Sequence, residues 1–98
     1  MSNWQTIFKD LGRVKVGTSK KIKFKMINIV EVKEFKSSCG CTKPEFNKKT
    51  GELTLTYKVG KFPTHLLHQD SYQSVKWVTV IYPNGVQERL SFKATIIK

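Results

Sequence analysis

Two cysteines flanking a single glycine, Cys39-Gly40-Cys41, and a His65-x-x-His68 pair are the residues with the most evident chemistry. Together they would offer four soft or borderline ligands of the kind zinc accepts. Cys-x-Cys is a less common zinc spacing than Cys-x-x-Cys. The competing reading makes both cysteines small packing residues at a tight turn, with Gly40 supplying an unusual φ. A redox reading is also open, since a disulfide across so short a loop would be strained and readily reduced. The structural reading is the expectation, so no metal and no cofactor is expected. Two cysteines are no disulfide framework. Thr64-His65 near Asp70-Ser71 is the best triad-like cluster, but adjacency in sequence is not triad geometry. Gly12 and Gly17 do not fit a phosphate-cradling loop. No nucleophile and base stand at a recognisable spacing, and the chain is not expected to be an enzyme.

The second chemistry is charge. The chain has 98 residues, with 18 Lys plus Arg against 7 Asp plus Glu, a formal net charge of +11. All but Arg13 and Arg89 of those cations are lysines. Lysine is a hydrated point charge, whereas arginine carries the planar fork that reads base edges and clamps phosphate. The balance therefore favours attraction to polyanions or an acidic partner over sequence reading. Lys-rich, Ala-poor usage, with Ala94 the single alanine, also fits an AT-rich genome. Lys21, Lys23 and Lys25 alternate along one segment and, with Arg13, Lys15, Lys33 and Lys36, make the candidate interaction surface. Lysines on a strand's solvent face also guard against edge pairing. Trp4 and Trp77 are the aromatics that could stack on a nucleic acid, although Trp77 sits where a central strand is expected and core packing is the first reading for it.

These residues must be positioned by strands. Ile22, Phe24 and Met26 alternate with Lys21, Lys23 and Lys25, giving an apolar face inward and lysines outward. The alternation slips over residues 27–30, as at a bulge or tight link, and resumes at Val30 and Val32. Leu53, Leu55, Tyr57 and Val59 alternate with polar residues. Val75 to Tyr82 is apolar on both faces, which predicts a central strand. Pro83-Asn84-Gly85 predicts a hairpin turn. Leu90, Phe92, Ala94 and Ile96 then form an inward face, with Ser91, Lys93 and Thr95 outward. Gly12 and Gly17 bracket a short extended piece, and residues 47–51 make a polar turn. Residues 60–74 form one long connection with room for a short helical turn. A 98-residue chain is one domain, 1–98, and its hydrophobic fraction of 39% supplies a thin but adequate core. The expectation is all-β: an immunoglobulin-like β-sandwich of about seven short strands.

Residues 8–17 (Phe-Lys-Asp-Leu-Gly-Arg-Val-Lys-Val-Gly), a Phe24-containing strand with Asn28, and Ser38-Cys39-Gly40-Cys41-Thr42-Lys43-Pro44 resemble a bacterial and phage domain family of unknown function marked by a Ser-Cys-Gly-Cys-Thr signature. That family is similar to the hydin-like and major-sperm-protein-like immunoglobulin folds. The resemblance runs through most of the chain in order. It departs at Asn28, where Ile29-Val30 replaces the family's Asn-x-Gly loop, and at Lys49-Thr50-Gly51-Glu52, where a Pro-Gly turn is usual. It implies a fold and carries over no catalytic residue.

No apolar stretch reaches the ~20 residues needed to span a bilayer. The first residues lack an apolar signal core, so synthesis in the cytoplasm without export is expected, with no membrane partner. The leading functional expectation is a non-catalytic interaction or structural module: a phage-encoded accessory virion protein of the capsid, neck or tail, bound to a larger protein assembly with an acidic surface. The alternatives are a cytoplasmic basic protein binding nonspecific nucleic acid or a host factor, and a metal protein using Cys39, Cys41, His65 and His68. The chain alone sets neither the partner nor the oligomeric state.

Overall fold

The computed structural model describes residues 3–38, 40 and 42–98. Among these, seven strands form: β1 (Phe8–Lys15), β2 (Ser19–Lys25), β3 (Glu34–Ser37), β4 (Thr42–Asn47), β5 (Glu52–Lys58), β6 (Ser71–Ile81) and β7 (Gln87–Ile97). A single 3-10 turn, Thr64–Leu66, interrupts the long connection between β5 and β6. The strands make two sheets, β1-β7-β6-β3 and β2-β5-β4. Counting from β2, these are the B-E-D and C-F-G groupings of an immunoglobulin sandwich. The all-β sandwich expected from the alternation is the structure observed.

Residues 4–15 serve both sheets. Trp4 bridges Met26 antiparallel, with Gln5 N donating to Lys25 O at 2.9 Å, so this segment covers part of the free edge of β2. The chain then crosses over, and β1 pairs parallel with β7. The register of that pairing shifts between Asp10 and Arg13, where Gly12 has φ +69° and its N–H bonds Asp10 Oδ1 at 2.9 Å. A left-handed residue at a bulge is what glycine accommodates without strain. Gly12 thus lies inside a strand, not at the start of one.

The core follows from period-two alternation. Ile22, Phe24 and Met26 face Leu53, Leu55 and Tyr57 within their sheet, and across the sandwich they meet Val78, Val80, Leu90, Phe92, Ala94 and Ile96; all are buried. Each large apolar side chain so enclosed contributes roughly 1.5–3 kcal/mol over its exposed state. Tyr57 packs tilted against Phe92 at 5.1 Å, and its hydroxyl bonds Ser74 Oγ at 3.3 Å. No buried side-chain polar atom among the described residues lacks a partner.

Four local expectations change. No strand resumes at Val30 and Val32; the next one is β3, where Phe35 turns inward against Phe46 with ring centroids 5.1 Å apart. β4 was not expected, and it carries Pro44, which an edge strand tolerates because one side of it needs no N–H donor. β6 starts at Ser71, earlier than the long connection implied, while the short helical turn within that connection is present. Trp4, considered for stacking on a ligand, is buried instead and donates Nε1–H to the Tyr82 hydroxyl at 3.1 Å.

Candidate interaction surface

The described side chains singled out for metal or catalytic chemistry form no cluster. Cys39 and Cys41 lie outside the described residues. His65 is on the 3-10 turn and His68 just beyond it, both exposed. Among the described residues, no three His, Cys, Asp or Glu side chains approach closely enough to hold a metal ion. Thr64, His65 and Asp70 are all exposed on the same connection.

The seven candidate cations divide between two faces. Lys21, Lys23 and Lys25 stand on the outer face of the three-stranded sheet, in register with Thr56, Thr54 and Glu52 of β5 and then with Lys43, Glu45 and Asn47 of β4. That face is polar throughout; Lys23 Nζ lies 3.7 Å from Glu52 Oε1, with both groups partly exposed. Arg13 and Lys15 are on β1, in the other sheet, and Lys36 is on β3 at that sheet's far edge. Lys33 precedes β3, its N–H donating to Ile81 O at 2.8 Å.

The outer face of the four-stranded sheet has a different composition. Phe8 pairs with Ser91, and Ser91 pairs with Trp77, so two aromatics flank a small residue in one row. At the usual inter-strand spacing they stand roughly 9–10 Å apart. The next rows hold Asp10, Lys93 and Val75 on one side, and Arg89, Thr79 and Lys36 on the other. Arg89 stacks over the Trp77 ring with its guanidinium carbon 5.0 Å from the centroid. Phe8 and Val75 are half exposed, at 50% and 51%, and Trp77 is only partly covered. Trp77 is therefore not a core residue: it lies on the odd-numbered side of β6, opposite buried Val78 and Val80. Both arginines of the chain, Arg13 and Arg89, are on this face. Sequence reasoning missed Phe8, Trp77, Arg89 and Lys93 as one group. The signal was present in β7, whose outer row of Arg89, Ser91, Lys93 and Thr95 is polar, and a strand beside it presents its outer residues to the same solvent.

A third feature is an open groove of about 690 Å³ at the end of the sandwich that holds the β6–β7 hairpin. Ile7, Val30 and Val86 form its apolar walls, and Glu31, Glu88 and Tyr82 supply polar groups. The hairpin closes as expected, with Tyr82 N donating to Val86 O at 2.9 Å and Gly85 at φ +87°. The Tyr82 hydroxyl accepts from Trp4 and donates to Glu88 Oε1 at 2.7 Å. Burial pushes the Tyr82 phenol above its ordinary value, the bond to Glu88 adds to the rise, and the bonds from Asn3 and Trp4 pull against it. The Tyr72 phenol is raised as well, first by burial and then by the nearby Tyr57.

No protein-family model and no curated protein matches the sequence. Among solved structures, the chain is similar to a 2,6-sialyltransferase of Vibrionaceae Photobacterium sp. JT-ISH-224, crystallised in a ternary complex with the donor product CMP and the acceptor substrate lactose. The two are 13% identical with a TM-score of 0.41, over 95% of this chain and 18% of that one. The chain thus spans about a fifth of the length of the enzyme it matches.

Proposed function

We propose that the chain is a non-catalytic interaction module that docks on an acidic surface of a larger assembly through the outer face of its four-stranded sheet. Its role is that of a phage-encoded accessory virion protein of the capsid, neck or tail, made in the cytoplasm and carried in the particle. The Trp77–Arg89 stack beside half-exposed Phe8 carries this reading. Tryptophan and arginine are the residues most enriched among binding hot spots, because each buries a large rigid surface while keeping a polar handle. Arg13, Lys36 and Lys93 surround that centre with positive charge, which suits an acidic partner. The resemblance to the Ser-Cys-Gly-Cys-Thr family, which occurs in phages, supports the virion setting.

The test is co-purification with particles. Wild-type protein remains with virions through density banding, and Trp77→Ala or Arg89→Ala lowers its occupancy at least tenfold. Absence of the wild-type protein from purified virions refutes the reading.

A nucleic-acid reading is favoured by the same face, since aromatics on a basic sheet form a platform on which single-stranded bases stack. A gel shift with single-stranded DNA separates the two. If Arg13, Lys36, Arg89 and Lys93 each meet a phosphate, log K falls against log salt with a slope of about −3. No shift at moderate salt excludes this alternative and leaves the protein-docking role.

A further inference from the structure

We infer that the two ends of the sandwich are complementary and that copies of this chain associate head to tail, the groove of one receiving the β5–β6 connection of the next. The molecule is elongated, 46 × 21 × 21 Å, with strands running along the long axis. Its ends differ in kind. The groove end exposes Ile7, Ile27, Ile29, Val30 and Val86, five of the eight large apolar side chains left open to solvent among the described residues. It also gathers Glu31, Glu34, Glu52 and Glu88, four of the seven acidic residues of a strongly basic chain, which offset Lys25, Lys33, Lys48 and Lys49 there and leave the groove itself lined by Glu31 and Glu88 with no cation. The opposite end carries Lys15, Lys20, Lys58, Lys61 and Lys98 against a single acid, Asp70.

The knob is built as specifically as the socket. Leu67, 55% exposed, follows the 3-10 turn at that end. Its carbonyl accepts from Lys98 Nζ at 2.6 Å, and the same ammonium lies 5.3 Å from the Phe62 ring centroid. A cation is thus held beside an exposed leucine. In the groove, Val86, likewise 55% exposed, stands with Ile7 and Val30 beside Glu31 and Glu88. Leucine against valine and isoleucine, with lysine against glutamate, matches apolar to apolar and positive to negative.

The net charge of +11 on each copy opposes association, but centres of successive copies in such a row lie about one molecular length apart. The Debye length is about 8 Å at physiological salt, so the net repulsion is screened while contact pairs at the junction persist. Because socket and knob are different surfaces, the contact is heterologous and does not close at two copies.

Sedimentation velocity at protein concentrations up to about 1 mM, where even a contact of about −4 kcal/mol is half occupied, tests this. Wild-type protein forms reversible species larger than a dimer, more at 0.15 M than at about 0.01 M salt, where the longer Debye length exposes the repulsion. Leu67→Asp and Val86→Asp, both at exposed positions, are each monomeric. An equimolar mixture of the two forms a dimer and nothing larger, since one intact socket and one intact knob remain. A monomeric wild type, a wild type that stops at a dimer, or a mixture that stays monomeric overturns the proposal. A monomeric wild type whose Val86→Asp variant is lost from particles would assign the groove to a different protein, also against it. The Trp77 and Arg89 variants touch neither end, so failure here leaves the sheet-face reading standing.

Discussion

Replacing Tyr82 by Phe deletes one hydroxyl, which makes two hydrogen bonds at the floor of the groove, without changing ring volume. The hydroxyl lost donates to Glu88 Oε1 at 2.7 Å and accepts from Trp4 Nε1 at 3.1 Å. A hydrogen bond to a charged group is worth about 1.5–3 kcal/mol, and Glu88 is partly exposed, so water recovers some of it. With about 0.5–1.5 kcal/mol for the Trp4 bond added, the expected loss at pH 7 is about 1.5–3.5 kcal/mol, or roughly 6–28 °C in Tm for a domain of this size. The pH dependence gives an independent signature. The Tyr82 phenol is raised in the native chain, chiefly by burial. The folded state therefore keeps this proton to higher pH than the unfolded state does. The stability it contributes is fully present below the unfolded value near 10 and is lost as pH rises through the folded value, with a slope approaching 1.4 kcal/mol per pH unit. The variant has no phenol at this position. The gap between wild type and Tyr82→Phe is thus flat from pH 7 to 9 and closes above pH 10. Tyr72 is raised too, but it is common to both chains and cancels in the difference. Urea denaturation followed by circular dichroism at pH 7, 9, 10 and 11 reads both quantities. A gap under about 0.5 kcal/mol at pH 7, or one that widens in alkali, refutes the role assigned to the Tyr82 hydroxyl.

Two further substitutions test other links. Gly51→Ala places a Cβ 3.0 Å from Ile29 Cγ1 and 3.1 Å from Met26 Cβ at φ +71°, whereas Gly85→Ala at φ +87° meets open space. Gly85→Ala should cost about 1–2 kcal/mol for the left-handed backbone alone and Gly51→Ala about 2–4; equal losses in chemical denaturation would mean the contacts at Gly51 are not tight. A double-mutant cycle on Trp77→Ala and Arg89→Ala, read by thermal or urea unfolding, should give a coupling of about 0.5–1 kcal/mol, the range of an exposed cation–π pair. Additivity within about 0.3 kcal/mol would show that the stack contributes nothing in the unbound protein.

The sequence was most legible where alternation and burial coincide. Lys21, Lys23 and Lys25 could only face solvent if Ile22, Phe24 and Met26 were to be buried, and the same logic holds from Leu53 to Val59 and from Leu90 to Ile96. It was least legible where a strand is short or at an edge. β4 offers one large apolar side chain, Phe46, on the face it shares with Thr42 and Pro44, too weak a stripe to stand out. Residues 26–33 keep apolar character without pairing as a strand, because Ile27 and Ile29 face solvent at the groove end. Trp77 was misplaced for a more general reason. Period two says that a side chain is on one face or the other; it does not say whether an apolar outer face is covered. Only the neighbouring strand answers that, and it takes the β6–β7 register to bring Arg89 and Ser91 alongside.

The candidate surface shows why charge and site separate in this chain. The seven cations were grouped by nearness in sequence, but β1 crosses from the edge of one sheet to the other, which puts Arg13 and Lys15 on the face opposite Lys21, Lys23 and Lys25. The three-stranded face, with most of its charge on lysine and no aromatic, has nothing to bury against a partner: hydrated ammonium groups on long flexible stems lose entropy on contact and gain little from exposed ion pairs such as Lys23–Glu52. The four-stranded face has fewer lysines but holds both arginines, a tryptophan already stacked and a half-exposed phenylalanine. Rigid planar groups lose less freedom on binding and exclude more water for each residue ordered. A total of +11 would therefore draw an acidic partner to any side of the molecule, while the type of residue would decide which side holds it.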